Sequence, residues 1–109
     1  MKTDLINFNV LDYVDSKTGK RVYDPSIYIS ENGQVLSKKS RNDKFIRPQI
    51  KNGYMTFNIG PNESVYLQRA VAGMYLTKPT DPTAYDVRFK DGNKENCSVD
   101  NLEWYSRRK

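Results

Sequence analysis

The feature that most restricts the fold of this chain is the stretch Val87-Arg88-Phe89-Lys90-Asp91-Gly92-Asn93-Lys94-Glu95-Asn96, closed by Asn101-Leu102-Glu103-Trp104. Asp-Gly is a strong hairpin signal, because a tight two-residue turn needs the positive φ that these residues tolerate. Val87 to Lys90 therefore reads as one strand and Leu102 to Tyr105 as its antiparallel return, with a polar loop between them. Two further signals of the same kind lie upstream. Asn32-Gly33 separates Tyr28-Ile29-Ser30 from Gln34-Val35-Leu36-Ser37, which reads as a second hairpin. Lys51-Asn52-Gly53 precedes Tyr54-Met55-Thr56-Phe57-Asn58-Ile59, whose alternation is that of a half-buried strand. Met55, Phe57 and Ile59 are expected to face the core, leaving Tyr54, Thr56 and Asn58 on an outer face.

Between these hairpin signals the period changes once. Leu67, Ala70, Val71, Met74 and Tyr75 follow the spacing of an amphipathic helix, placed at 64–77, with Gln68 and Arg69 off the apolar stripe. Gly73 weakens such a helix by about 1 kcal/mol relative to Ala, which points to a close packing contact there. Pro79, Asp81 and Pro82 form a stiff connection to the hairpin. Residues 1–24 read as an amino-terminal cover for the sheet, interrupted by a polar turn at Asp15 to Arg21. Lys38 to Arg47 reads as a basic loop, and Pro48 argues against a regular central strand there. The expected organisation is one domain of 109 residues: the cover, a sheet with its basic loop at 25–60, the helix, and the hairpin at 86–106.

Charge narrows the function. The net charge is +5, and from Lys38 to Lys51 six basic residues (Lys38, Lys39, Arg41, Lys44, Arg47, Lys51) face one acid, Asp43. A local basic surface of this kind suits phosphate, and the terminal Arg107-Arg108-Lys109 adds contacts without sequence preference. A single cysteine, Cys97, excludes an internal disulfide and a multi-cysteine zinc site, and reads as an ordinary thiol. The longest nearly apolar run, Ala70 to Leu76, falls far short of the roughly 20 residues of a membrane span. No secretory signal opens at Met1. The expected setting is a reducing cytoplasm, with no membrane partner.

The Val87 to Trp104 stretch resembles the core hairpin of the HNH endonucleases. The likeness is to the phage homing-type subfamily, whose hairpin runs roughly Val-Asp-His-Ile-Asp-Gly-Asn and then Glu-Asn-Leu-Glu-Trp. Tyr28-Ile29-Ser30-Glu31-Asn32-Gly33-Gln34-Val35 is similar to the modular motif that often precedes that nuclease core, of the form Tyr-x-Val-Ser-Asn-x-Gly-x-Val. With Lys51-Asn52-Gly53-Tyr54 following in order, the resemblance spans roughly residues 25 to 106. It implies an α+β fold: small antiparallel hairpins, one main helix, and an HNH-like ββ hairpin lacking the final metal-binding helix.

The match fails at the reacting positions. In the family the Asp-His pair supplies a metal ligand and the general base, and Arg88 and Phe89 stand there. A guanidinium repels a divalent cation, and a phenyl ring cannot take a proton from water. The motif's Asn is retained as Asn101, with no histidine to orient, and the helix bearing the third ligand would fall beyond Lys109. A His-Arg pair common on the family's helix has become Gln68-Arg69, and the chain contains no His at all.

The resemblance and the charge together imply a catalytically inactive, phage-encoded protein, which would work in the host cytoplasm. No metal and no cofactor are expected. Its partner would be nucleic acid, foremost double-stranded DNA, met by Lys38, Lys39, Arg41, Lys44, Arg47 and Lys51, by the strand face of Tyr54, Thr56 and Asn58, and by Arg69 and the basic tail. Two alternatives accompany this reading. One is a protein-interaction module, directed at a host factor or self-associating through an uncovered hairpin exposing Val87, Phe89, Leu102 and Trp104. The other is an active Mg²⁺-dependent nuclease with a rearranged site built from Asp91, Glu95, Asp100 and Glu103.

Overall fold

The structure is a computed structural model that describes residues 8–15, 19–39, 42–60, 63–76 and 85–106. The first antiparallel sheet holds β1 (Phe8–Val14), β2 (Arg21–Ser30), β3 (Val35–Ser37) and β4 (Lys44–Ile46), in that order. The stretch read as an amino-terminal cover thus contributes, over its described residues, an edge strand of the sheet and the start of β2. The β1–β2 register shifts between Val10 and Leu11, which pair with Tyr28 and Asp24. Pro25, with no amide to donate, sits in the stretch of β2 skipped by that shift. The Asn32-Gly33 signal closes β2 on β3 through a three-residue loop, Gly33 adopting φ +83° and donating its N–H to the Ser30 carbonyl.

The second sheet holds β5 (Gln49–Lys51), β6 (Tyr54–Gly60) and β7 (Glu63–Tyr66), again antiparallel. Asn52 and Gly53 form the β5–β6 turn, both with positive φ, as a two-residue turn of primed type demands. β7 runs straight into α1 (Leu67–Tyr75), whose Leu67, Ala70 and Val71 are fully in the core. Gly73 is buried as well. A Cβ built there would lie 2.6–2.9 Å from Tyr13 of β1, so the helix and the edge strand touch backbone to ring. The Tyr75 hydroxyl donates to the Ile29 carbonyl and accepts from the Asn9 side chain, tying the end of the helix to the same sheet.

β8 (Tyr85–Phe89) and β9 (Leu102–Ser106) form the expected hairpin, with Val87 opposite Trp104 and Phe89 opposite Leu102. Asp91-Gly92 does not close it as a two-residue turn. It completes a local turn from Phe89 to Gly92, and the strands are joined by loop 90–101. That loop docks on the first sheet: the Val99 N–H donates to the Glu31 carbonyl, and Gly33 is packed so closely on Cys97 that a Cβ would meet its carbonyl oxygen at 3.0 Å. Val87, Phe89 and Leu102 are buried in the common core and Trp104 packs partly against it. The exposed apolar hairpin face expected from the sequence is therefore not present, because α1 and β6 cover these side chains. Among the described residues no helix is long and apolar enough to cross a membrane. The architecture is α+β, mostly antiparallel strands with one α-helix.

Candidate nucleic-acid interface

The hairpin positions that carry chemistry in homing-type HNH enzymes are occupied by side chains with structural work. Phe89 is buried, its ring stacked on Tyr54 at 6.2 Å between centroids. Arg88 is exposed and pairs across the hairpin with Glu103, Nη2 to Oε2 at 2.7 Å, with its guanidinium 5.5 Å from the centre of the Tyr105 ring. Asn101 is the staple of loop 90–101. Its amide nitrogen donates to Asp91 Oδ1 at 2.9 Å and to the Asn96 carbonyl at 3.0 Å, and its oxygen accepts from the Asp91 N–H at 3.1 Å. The Asn93 N–H and the Asn101 amide together hold the Asp91 carboxyl below its ordinary pKa.

These residues do not fit a divalent cation. A guanidinium, a phenyl ring and an amide already saturated by its own loop offer no coordination set. The carboxylates of the rearranged-site reading are not brought together either. Asp91 is engaged within its loop and Glu103 with Arg88, and among the described residues no three His, Cys, Asp or Glu side chains are grouped to hold a metal. Cys97 is buried, and that burial pushes its thiol up to about 11, which makes it an inert packing group.

The basic stretch resolves into two classes. Lys44 on β4, Arg47 at the link between the two sheets, and Lys51 at the end of β5 are exposed, and no ion pair holds them among the described residues. Lys38 is exposed too, loosely held 3.9 Å from Asp43 and 4.9 Å above the Tyr28 ring. Lys39 is committed: its ammonium lies 3.0 Å from Asp24 Oδ2 and donates to the Ile59 carbonyl at 3.0 Å, bridging the two sheets. Burial would raise the Asp24 pKa, but hydrogen bonds from Ser26 and Lys39 outweigh it and the net direction is down. The expected basic loop is therefore partly an edge strand, since Lys44–Ile46 pairs with β3. Arg41, Arg107, Arg108 and Lys109 lie outside the described residues.

The strand face of β6 departs from expectation. Asn58 is exposed, but Thr56 is 5% exposed and its hydroxyl donates to the Gln49 carbonyl, so it cannot serve as a contact. Tyr54 is half-buried between Phe89 and Tyr66. The physical reasons differ: Phe89 of the β8–β9 hairpin stacks on Tyr54, whereas the Thr56 hydroxyl is bound to the neighbouring strand β5. Arg69 is mostly buried, with Nη1 3.5 Å from Asp15 and the guanidinium 5.1 Å from the Tyr66 ring centre, so it acts as a structural ion pair. Where hairpin and second sheet meet, a cleft of about 300 Å³ is lined by Tyr54, Tyr66, Gln68, Arg69, Asp86 and Tyr105. Sequence reasoning marked Gln68 only as the replacement of a family histidine and passed over Asp86. Nothing local places them at a cleft, because the contact between two elements far apart in the chain creates it.

Residues 66–109 match the HNH endonuclease family. An uncharacterized HNH endonuclease of Acanthamoeba polyphaga mimivirus is 34% identical over 97 residues, 84% of this chain and 23% of that protein. A second from the same virus is 32% identical over 80 residues, 70% of this chain and 23% of that protein. Among solved structures, the HNH homing endonuclease I-HmuI, in a study of DNA binding and cleavage, superposes with a TM-score of 0.65 at 28% identity. The match covers 78% of this chain and 49% of that one. The chain thus spans under a quarter of the length of the viral relatives and about half of I-HmuI.

Proposed function

We propose that this chain, similar to HNH endonucleases in sequence and to a homing endonuclease in fold, binds double-stranded DNA and does not cut it. One observation carries the reading. Lys44, Arg47 and Lys51, on the edges β4 and β5 and the link between them, are exposed and without ion pairs among the described residues, while Phe89 and Arg88 fill the positions where hydrolysis would be performed. Phosphate contacts need mobile cations at a surface, and these residues, with Lys38 and the exposed Asn58 beside them, provide one. Lys39, Thr56 and Arg69 leave the contact set, since each is engaged within the fold.

Fluorescence anisotropy with labelled duplex DNA, single-stranded DNA and RNA tests the reading. Tightest binding to duplex, weakened tenfold or more in the Lys44→Ala/Arg47→Ala/Lys51→Ala variant, is expected. Supercoiled plasmid should remain intact in Mg²⁺ or Mn²⁺. Nicking abolished by Asp91→Ala or Glu103→Ala would contradict the inactive assignment, and binding indifferent to the triple substitution would contradict the interface.

A further inference from the structure

We propose that Lys39 is a positioning residue for duplex DNA: by bonding both sheets at once it holds the cations of β4 and β5 in one orientation, a role that rests on the nucleic-acid reading above and needs no contact with DNA. Lys44 and Lys51 have to meet the same duplex, yet they stand on different sheets. No ladder joins β4 to β5, and only Arg47 and Pro48 lie between them. Packing fixes neither strand firmly. The three residues of β5 are all exposed, and of β4 only Ile46 packs partly against the core.

Lys39 supplies the missing link. Its backbone belongs to the first sheet, just past β3: the Lys38 N–H donates to the Ser26 carbonyl at 2.8 Å and the Lys39 N–H to Ser37 Oγ at 3.3 Å. Its ammonium then lies 3.0 Å from Asp24 Oδ2 on β2 and donates to the Ile59 carbonyl on β6 at 3.0 Å. Both acceptors sit at irregularities of their sheets. Asp24 pairs with Leu11 directly beside the β1–β2 register shift, and Ile59 is the residue passed over where the β6–β7 register shifts between Asn58 and Gly60. A residue passed over in this way has backbone groups outside the ladder, which suits the Ile59 carbonyl to a side-chain donor. The Asp24 carboxylate is preset to receive the ammonium. Its side chain is 13% exposed, and its other oxygen accepts from the Ser26 N–H at 2.9 Å and the Ser26 hydroxyl at 2.7 Å.

A lysine held like this contributes to affinity through preorganisation. Phosphates on a duplex have a fixed spacing, and cations carried on two bodies that shift against each other lose that freedom on binding. The same lysine adds little to stability, because partly exposed ion pairs are weak, so the fold survives its removal. Its charge is already matched by Asp24, which leaves geometry as its contribution.

The test is duplex anisotropy on the full chain over a salt series, comparing wild type with Lys39→Met, which keeps the aliphatic stem. Affinity should fall about fivefold at every salt concentration, through lost preorganisation, with the slope of log K against log salt unchanged. Loss of a direct phosphate contact would instead reduce that slope by about 0.9. The charge-neutral pair Lys39→Met/Asp24→Asn should be weakened as much as the single variant. Amide shifts of free Lys39→Met should change throughout 44–51, away from Asp24 and Ile59. If Lys39→Met does not fold, Lys39→Gln, whose amide can still donate to one of the two acceptors, takes its place. A slope lowered by about 0.9, wild-type affinity in the single variant, recovery in the charge-neutral pair, or unaltered shifts over 44–51 would each overturn the role of Lys39 and spare the nucleic-acid reading. A wild-type chain without affinity for duplex would overturn both.

Discussion

Gly73→Ala has a sign that depends on one contact. In an open helix the substitution stabilises by about 1 kcal/mol, because glycine is the poorer helix former by that amount. Here the added Cβ would stand 2.6 Å from Cδ2 and 2.9 Å from Cβ and Cγ of Tyr13, where carbon atoms in contact prefer about 3.5–4.0 Å. Tyr13 is 4% exposed, and two of those atoms are close to its own backbone, so the ring cannot swing aside without moving β1 against α1. Overpacking costs about 1–3 kcal/mol, and contacts under 3 Å with a buried ring place this one in the upper part, about 2–3 kcal/mol, so that after the propensity gain of about 1 kcal/mol the net destabilisation expected is about 1–2 kcal/mol. In a domain of this size that lowers Tm by about 5–10 °C. Urea unfolding followed by tryptophan fluorescence reads it as a lower midpoint at unchanged slope. The control is the double-mutant cycle: in a Tyr13→Ala background, Gly73→Ala should become neutral or stabilising. A stabilised single variant, or an equal destabilisation in both backgrounds, would refute the packing argument.

Asn101→Ala should lower the urea midpoint and raise amide exchange across loop 90–101, yet leave duplex affinity of the folded protein within twofold, because Asn101 staples the loop to Asp91 and Asn96. Acid should weaken the fold through Asp91 and Asp24, both of whose folded pKa values lie below the ordinary 3.8. Their contribution is complete above that ordinary value and is lost as pH falls through the lower folded values, so Asp91→Asn should flatten stability against pH below about 4, measured by urea midpoints. Cys97, its thiol raised to about 11 by burial, should resist alkylation at pH 8 in the folded protein and react on addition of urea, as mass spectrometry would show.

The hairpins were readable because their signals are local: Asn32-Gly33 and Asn52-Gly53 supply the positive φ that their turns need. The helix was readable because Leu67, Ala70 and Val71 repeat at its period. What failed was long-range. The alternation of β6 reports two faces but not what covers each, so Tyr54 was assigned to solvent when Phe89 of the β8–β9 hairpin stacks on it, and Thr56 when it is buried with its hydroxyl bound to Gln49. Lys39 looked like any member of the basic run until Asp24, on the neighbouring strand, claimed it. β4 has three residues, too few for a pattern, and forms because Phe45 can pair with Leu36. The retained Asn101 was legible as a motif residue, whereas its role in the loop follows from distances that no sequence displays.

The salt dependence of duplex binding tests the central claim most directly. With Lys38, Lys44, Arg47 and Lys51 as the phosphate contacts, log K should fall against log salt with a slope of about −3.6, a loss of about a hundredfold between 50 and 200 mM. Each alanine substitution among them should reduce the slope by about 0.9. A slope near zero, or one that the four substitutions leave unchanged, would contradict the account.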